Sequence, residues 1–322
     1  MNEFELIERC FARAPHNVEV RVGIGDDAAI ISPTPGLEYA VSVDMLVEGR
    51  HFAPGADPQL LGHKALAVNL SDMAAMGALP RFALLAGALP DADADWVMAF
   101  MRGFDALAAQ YDVELIGGDM TRGPRNLCVT VIGELPAGTA LTRAGAKAGD
   151  TVYVSGTLGD AALALAVESG GTRVPEAALE ALRQRLHAPQ PRVALGVALR
   201  GIASSALDIS DGLTGDLGHI VAASDVGATI DLGAIQCSEA LRAKLAGDER
   251  KLALACLLAG GDDYELCFTA PPVMRERVAA LALALRLPLT PIGEVRAQPG
   301  LEIRDEQGHR LPWPPRAFDH FA

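Results

Sequence analysis

Residues 58–76, PQLLGHKALAVNLSDMAAM, decide how this chain is read. Pro58 fits the first turn of a helix, and the run behind it is so rich in Ala and Leu that it predicts a long helix buried on most faces. Asp72 lies near the C-terminal end of that helix, where a carboxylate is costly unless paired. Working outward, residues 4–11 carry apolar side chains at helical spacing before Pro15. A Gly and Asp turn at 22–27 leads into a short strand at 28–31, and residues 39–43 read as a strand finishing at Asp44. Beyond the long helix come a strand at 82–88, a helix over 95–110, and strands at 113–116 and 127–135. Pro136 and Gly138 mark a boundary, followed by a loop at 141–150 rich in Ala and Gly. The second half repeats the alternation, with strands at 152–155, 206–209, 228–232 and 265–269 separated by helices, and a last helix and strand ending near Val295. Alternation in both halves predicts an α/β or mixed α+β architecture in two domains, 1–137 and 138–322.

Composition narrows the function. Half of the 322 residues are hydrophobic, yet no apolar run free of Gly, Pro and charge reaches the roughly 18 residues that a spanning helix needs. Glu3, Glu5 and Glu8 occupy the place where a signal peptide would be basic and then apolar, so a cytoplasmic protein is expected. The five cysteines show no CxxC spacing and read as small buried thiols. A net charge of -14 without Lys or Arg clusters argues against nucleic acid. An anionic protein binds an anionic nucleotide only where metal ions reverse the sign of the field.

One pattern recurs: a strand or apolar helix that ends at an aspartate, often beside Gly. It occurs as Gly25-Asp26-Asp27, Ser42-Val43-Asp44, Ser71-Asp72, Gly117-Gly118-Asp119, Asp208-Ile209-Ser210-Asp211-Gly212 and Gly260-Gly261-Asp262-Asp263. Any one of these reads as a turn or a helix cap. The set is harder to dismiss, because several members adjoin strongly apolar segments. Two carboxylates 4 Å apart repel by about 4 kcal/mol at an effective dielectric of 20, so a converging cluster needs cations. Oxygen ligands without Cys or paired His select a hard ion, and magnesium binds through a few carboxylates together with substrate phosphates. The pattern therefore predicts a magnesium-nucleotide site.

Other signatures are weaker or absent. Gly23-x-Gly25-x-x-Ala28 followed by Asp44 has the outline of a dinucleotide fingerprint, but Asp26 and Asp27 stand where pyrophosphate would lie, and a short strand follows instead of a helix. No Walker loop and no protein-kinase signature occurs. His51 reads as either a loop histidine or a ligand. Arg143 and Lys147 either solubilise their loop or, in a flexible basic loop, close over phosphates. His187 and His219 read as structural, and Phe318 as a residue that either pins the tail or serves a site.

Taken together, several strings resemble the thiamine-monophosphate kinase family, within the wider group of aminoimidazole ribonucleotide synthetase-like ATP-binding proteins. They are Gly23-Ile24-Gly25-Asp26-Asp27-Ala28, residues 44–52, residues 63–78, Gly117-Gly118-Asp119, residues 141–146, Ser155-Gly156-Thr157-Leu158-Gly159-Asp160, residues 208–213, residues 260–266 and Phe318-Asp319-His320-Phe321, in family order along nearly the whole chain. The resemblance implies an N-terminal sheet domain that binds ATP and magnesium and forms a homodimer, and a C-terminal α/β domain. It implies phosphorylation of thiamine monophosphate by ATP to thiamine diphosphate, the last step in making that cofactor. Carried over by position, Asp27, Ser42, Val43, Asp44, Asp72, Asp119, Asp208 and Asp211 would hold several Mg2+ ions. Gly118, Asp119, Arg143 and Ser210 would contact ATP, and His51, Asp262 and Phe318 would line the thiamine monophosphate pocket. Three positions depart from the family pattern. Val43 stands for a common Thr and would have to use its backbone oxygen, Asp262 replaces a frequent Glu, and Phe318 replaces a frequent Tyr or Trp.

No acid or base stands out, and the implied acceptor explains why. A phosphate monoester with a second pKa near 6 is already largely a dianionic nucleophile at pH 7. Direct in-line transfer then depends on alignment and charge neutralisation. Rival readings fit less well: a selenophosphate synthetase would carry a reactive Cys in a Gly-rich loop, whereas Cys10 falls in a predicted helix, and a hydrogenase-maturation protein would end in Cys. A purine-synthesis ligase matches the His51 and Phe318 regions less closely, and a magnesium-ATP binding regulator would show no turnover.

Overall fold

A computed structural model describes residues 3–311 apart from 12, 14 and 26. Two compact units emerge, the first made of Met1–Met73 with Ala78–Gly138, the second of Ala74–Gly77 with Thr139–Ala322.

The first unit begins with α1 (Glu3–Cys10), β1 (Val20–Val22) and β2 (Ile30–Ile31), the two strands forming a small antiparallel pair. Then follow β3 (Leu37–Val47), α2 (Pro58–Ala75), β4 (Leu79–Leu89), α3 (Ala94–Tyr111), β5 (Glu114–Arg122) and β6 (Asn126–Pro136). The four long strands make one sheet in the order β3-β6-β4-β5, with β4 and β5 parallel and the other neighbours antiparallel. Helix α2 is as apolar and enclosed as its composition predicts: from Leu61 to Met73 only His63 and Asp72 escape full burial. It meets α3 backbone to backbone. A β-carbon placed on Gly62 would lie 1.9 Å from Phe100 O, and one on Gly103 would lie 1.8 Å from Gln59 O.

The second unit comprises β7 (Thr151–Ser155), α4 (Asp160–Glu168), α5 (Glu176–His187), α6 (Val193–Leu199), β8 (Ser205–Asp208), α7 (Leu213–Ala223) and β9 (Gly227–Asp231). It continues through α8 (Glu239–Leu245), α9 (Arg250–Ala259), β10 (Leu266–Ala270), α10 (Arg275–Leu285), β11 (Leu289–Arg296) and β12 (Gly300–Arg304). Its sheet runs β12-β9-β11-β7-β10-β8, parallel only between β12 and β9. Two mainly antiparallel sheets with helices make the fold mixed α+β. Leu158, Leu163, Leu217, Ile220 and Leu257 close over Val154, Ile230 and Ile292 to form this unit's core. Tyr153 and Phe268, direct partners across β7 and β10, stack with centroids 5.1 Å apart.

Two expectations need correction. Asp44 and Asp119 do not end strands, since β3 continues to Val47 and β5 to Arg122. The ladders explain it: β3 pairs with β6 from Leu37 to Val47, and β5 follows β4 past a register shift, so the Gly and Asp residues are carried inside the sheet. Strand β12 was also not legible, because it is a short run set off by a Gly.

Of the five thiols expected to be buried, Cys237, Cys256 and Cys267 are, whereas Cys10 and Cys128 are only half-buried; all five are raised above the usual thiol range, chiefly by burial. Among the described residues no helix is long and apolar enough to cross a membrane.

Replacing Gly62 or Gly103 with Ala would force α2 and α3 apart. Either variant should lose about 1–3 kcal/mol of stability in urea unfolding, the usual cost of overpacking a tight contact.

Candidate active site

Three candidates of the first unit, Ser42, Asp44 and Asp72, lie where α2 faces β3. Asp72 accepts a 2.5 Å hydrogen bond from Ser42 Oγ, which supplies the partner that its position demands. One helical turn earlier, fully buried Asn69 accepts from the Asp44 backbone N–H at 3.2 Å and donates to Ala65 O at 3.0 Å. Residues i and i+3 of a helix thus hold residues i and i+2 of a strand, each pair on one face of its element. Val43 points the other way and is 58% exposed, in a stripe with Val41 at 64% and Met45 at 51%.

In the sheet register Gly118 shares a row with Leu85, Val129 and Asp44, and Asp119 with Ala86, Cys128 and Met45. Asp44 and Asp119 therefore stand on opposite edge strands. Gly118 has φ 154°, and a β-carbon there would lie 1.9 Å from Leu85 O. Asp119 is exposed on β5, and Asp27 is exposed in the turn between β1 and β2. That turn runs into strand β2 and not into a helix, consistent with rejecting the dinucleotide fingerprint.

His51 follows β3 in a turn that fixes its ring. Nδ1 accepts from the Val47 N–H at 3.0 Å, while the His51 N–H donates to Val47 O at 2.9 Å. An accepting Nδ1 assigns the ring proton to Nε2 in a neutral imidazole. Glu48 in the same turn pairs with Arg125 at 2.5 Å, and the Arg125 guanidinium sits 4.6 Å over the Trp96 ring.

In the second unit two loops form a single laced structure. Asp208, largely buried, ends β8, and the Ser210 and Asp211 that follow are half-buried. The Asp262 N–H donates to Ser210 O at 2.9 Å, the Tyr264 N–H to Ile209 O at 2.8 Å, and the Ile209 N–H to Glu265 O at 2.8 Å. Asp262 and Tyr264 carry φ values of 67° and 49°, uncommon for residues other than glycine, and the Tyr264 hydroxyl donates to Asp262 Oδ1 at 3.1 Å.

The loop carrying Arg143 is pinned rather than free. Ser224 Oγ accepts from the Gly145 and Ala146 N–H groups at 3.1 Å each and donates to Arg143 O at 3.2 Å, leaving the Arg143 side chain exposed. Phe318 lies outside the described residues. Among the described residues no three His, Cys, Asp or Glu groups stand close enough to hold a metal ion. The donors present are oxygens of Asp and Ser, which fit a hard ion that keeps water and substrate phosphates as its remaining ligands.

Residues 25–135 match the family described as AIR synthase related protein, N-terminal domain, and residues 147–306 match its C-terminal domain. The chain is 46% identical to the thiamine-monophosphate kinase of Escherichia coli (strain K12) over 99% of its own length and 98% of the relative's. The chain belongs to the thiamine-monophosphate kinase family. A crystal structure of the thiamine-monophosphate kinase from Stenotrophomonas maltophilia K279a matches with TM-score 0.87 at 47% identity, covering 96% of this chain and 98% of that one. AaThiL complexed with AMPPCP and TMP matches with TM-score 0.78 at 30% identity, covering 90% and 89%.

Within this thiamine-monophosphate kinase framework, sequence reasoning missed the residues that hold the candidates in place. Asn69 and Asp216 are polar residues inside apolar helices, a signal that was available. Glu265 was hidden by its partners' distance in sequence. It accepts from Arg192 Nε at 2.7 Å, Arg192 Nη2 at 2.5 Å, Arg185 Nη2 at 2.8 Å and Ser155 Oγ at 2.5 Å.

Asp263, wholly buried beside this cluster, accepts from the Gly159 N–H through both oxygens at 3.0 and 2.9 Å. Burial pushes its carboxyl well above the usual range; the Gly159 N–H and Arg185 oppose the rise, and Asp160 and Glu265 add to it. A raised folded-state pKa gives stability that is full below the unfolded value near 3.9 and is lost as pH rises through the folded value. Asp263→Asn keeps an acceptor without the titration. Its melting temperature should therefore gain on that of the unmodified protein as pH rises from 5 to 9, and parallel pH profiles would contradict this reading.

Proposed function

We propose that this protein transfers the γ-phosphate of ATP directly to thiamine monophosphate, giving thiamine diphosphate and ADP in the cytoplasm as the last step of thiamine diphosphate synthesis. The observation that carries the reading is full-length similarity to thiamine-monophosphate kinases, together with a structural match to a relative complexed with AMPPCP and TMP. Gly118, Asp119, Arg143 and Ser210 would contact ATP. His51, Asp262 and Phe318 would receive thiamine monophosphate, with the His51 N–H at Nε2 suited to a phosphate oxygen and the Phe318 ring to the heterocycle.

Asp27, Ser42, the Val43 backbone, Asp44, Asp72, Asp119, Asp208 and Asp211 would hold magnesium. Bound magnesium would supply charge neutralisation between the triphosphate and the acceptor dianion. The chain's own part is positioning. The Asn69 and Asp72 contacts keep Asp44 and Ser42 from drifting, and the pinned backbone at 143–146 sets the reach of the Arg143 guanidinium, which would bind phosphate oxygens in a fork. No residue is asked to take a proton from the acceptor, because the dianion is the nucleophile. The domain at 1–137 would bind ATP and magnesium and form the homodimer, and the α/β domain at 138–322 carries the further candidates Arg143, Asp208, Ser210, Asp211, Asp262 and Phe318.

Incubation with ATP, Mg2+ and thiamine monophosphate should yield thiamine diphosphate. Product from thiamine or from a purine precursor instead would overturn the assignment. Asp72→Asn should lower kcat by at least the roughly 10- to 100-fold that follows loss of a residue supporting metal ligands, with the far-ultraviolet circular dichroism unchanged. The exposed stripe of Val41, Val43 and Met45 supports self-association through the first sheet. Val43→Glu should shift the protein from dimer to monomer in light scattering, whereas an unmodified protein that is already monomeric would rule the dimer out.

A further inference from the structure

Helix α7 opens in an unusual way. The Asp216 side chain, buried in its first turns, reaches back and accepts three consecutive backbone N–H groups on one oxygen: Ser210 at 3.1 Å, Asp211 at 3.1 Å and Gly212 at 3.0 Å. The Asp216 N–H donates in return to Gly212 O at 3.0 Å. Converging N–H groups ahead of a helix normally make an anion cradle, which in nucleotide-binding proteins receives phosphate. Here the cradle is filled from within. Gly212 has no room to change, since a β-carbon there would come within 2.6–2.9 Å of the Ala259 backbone.

With these three N–H donors turned inward, the polar side-chain atoms along the loop are oxygens: the carboxylates of Asp208, which is largely buried, and of half-buried Asp211, and the hydroxyl of half-buried Ser210. The Ser210 and Ile209 carbonyls are committed to the Asp262 and Tyr264 N–H groups, so the same arrangement also sets the Asp262 loop.

We propose that Asp216 is a positioning residue that keeps the 208–212 loop from acting as a phosphate-binding cradle and sets its Asp208 and Asp211 carboxylates for the cation accompanying the nucleotide. This rests on the kinase reading and adds to it how the loop recognises its ligand: through a metal ion, with no direct backbone grip on phosphate.

Asp216→Ala empties the cradle, whereas Asp216→Asn keeps an acceptor oxygen in the same place. Two measurements on the full chain separate the outcomes: the Mg2+ dependence of thiamine diphosphate formation, and calorimetric binding of AMPPCP across a Mg2+ titration. The alanine variant should need about 10- to 100-fold more Mg2+ in both, the range seen when a residue supporting metal ligands is lost. Its KM for thiamine monophosphate should move much less, and the Asn variant should lie closer to the unmodified protein than to the alanine variant. If the alanine variant does not fold, Asp216→Ser, too short to reach the three N–H groups, takes its place. A variant with a lowered melting temperature but an unchanged Mg2+ requirement would overturn the proposal, as would tighter AMPPCP binding without Mg2+ than with it. If the unmodified protein binds Mg2+ and AMPPCP yet forms no thiamine diphosphate, the kinase reading fails while the binding titration still decides the role of Asp216.

Discussion

The hydrogen bond from Ser42 to Asp72 is the constraint on which the first unit's chemistry depends. Helix α2 is enclosed nearly all round, and a carboxylate at its end is tolerable only with a polar partner. Ser42 provides that partner in this structure, and Asn69 adds a second tie to the same strand. The consequence is that Ser42 and Asp44 are placed by a packed helix rather than by a loop. The tight crossing of α2 and α3 at Gly62 and Gly103 carries the constraint further, because the helix cannot slide without a backbone clash. Such anchoring fixes the positions of Ser42 and Asp44 before any ligand arrives.

The second unit meets the same need with different means. Its candidate residues lie on loops, yet the loops are laced by main-chain hydrogen bonds and underpinned by two buried carboxylates. Asp216 fills the N–H groups of one loop, and Glu265, gripped by Arg185 and Arg192, anchors the other. The left-handed backbone at Asp262 and Tyr264 is strain that such anchoring sustains. The residues that would hold magnesium are carboxylates, the Ser42 hydroxyl and the Val43 backbone, while the supporting residues Asn69, Asp216 and Glu265 are buried and polar.

Much of this was legible in the sequence, and the failures have physical causes. The long helix, the alternation of elements and the suspicious aspartates follow from composition and local periodicity. The ends of β3 and β5 did not, because Gly and Asp there signal a stop locally while the ladders to β6 and β4 override them. The pinning of the Arg143 loop was not legible because its anchor, Ser224, lies far along the chain. Asn69 and Asp216 were visible as polar residues in apolar helices, but their partners are defined only by tertiary structure. Long-range pairing was the common element in what sequence alone withheld.

The central claim is that these residues align two phosphates for a single direct transfer and that no aspartate acts as a nucleophile. The stereochemical course at phosphorus tests it most directly, using ATP made chiral at the γ-phosphorus with oxygen isotopes and sulfur, and thiamine monophosphate as acceptor. A single in-line displacement inverts the configuration, and inversion is the result this structure predicts. Retention would require two displacements through a phosphorylated side chain and would contradict the account.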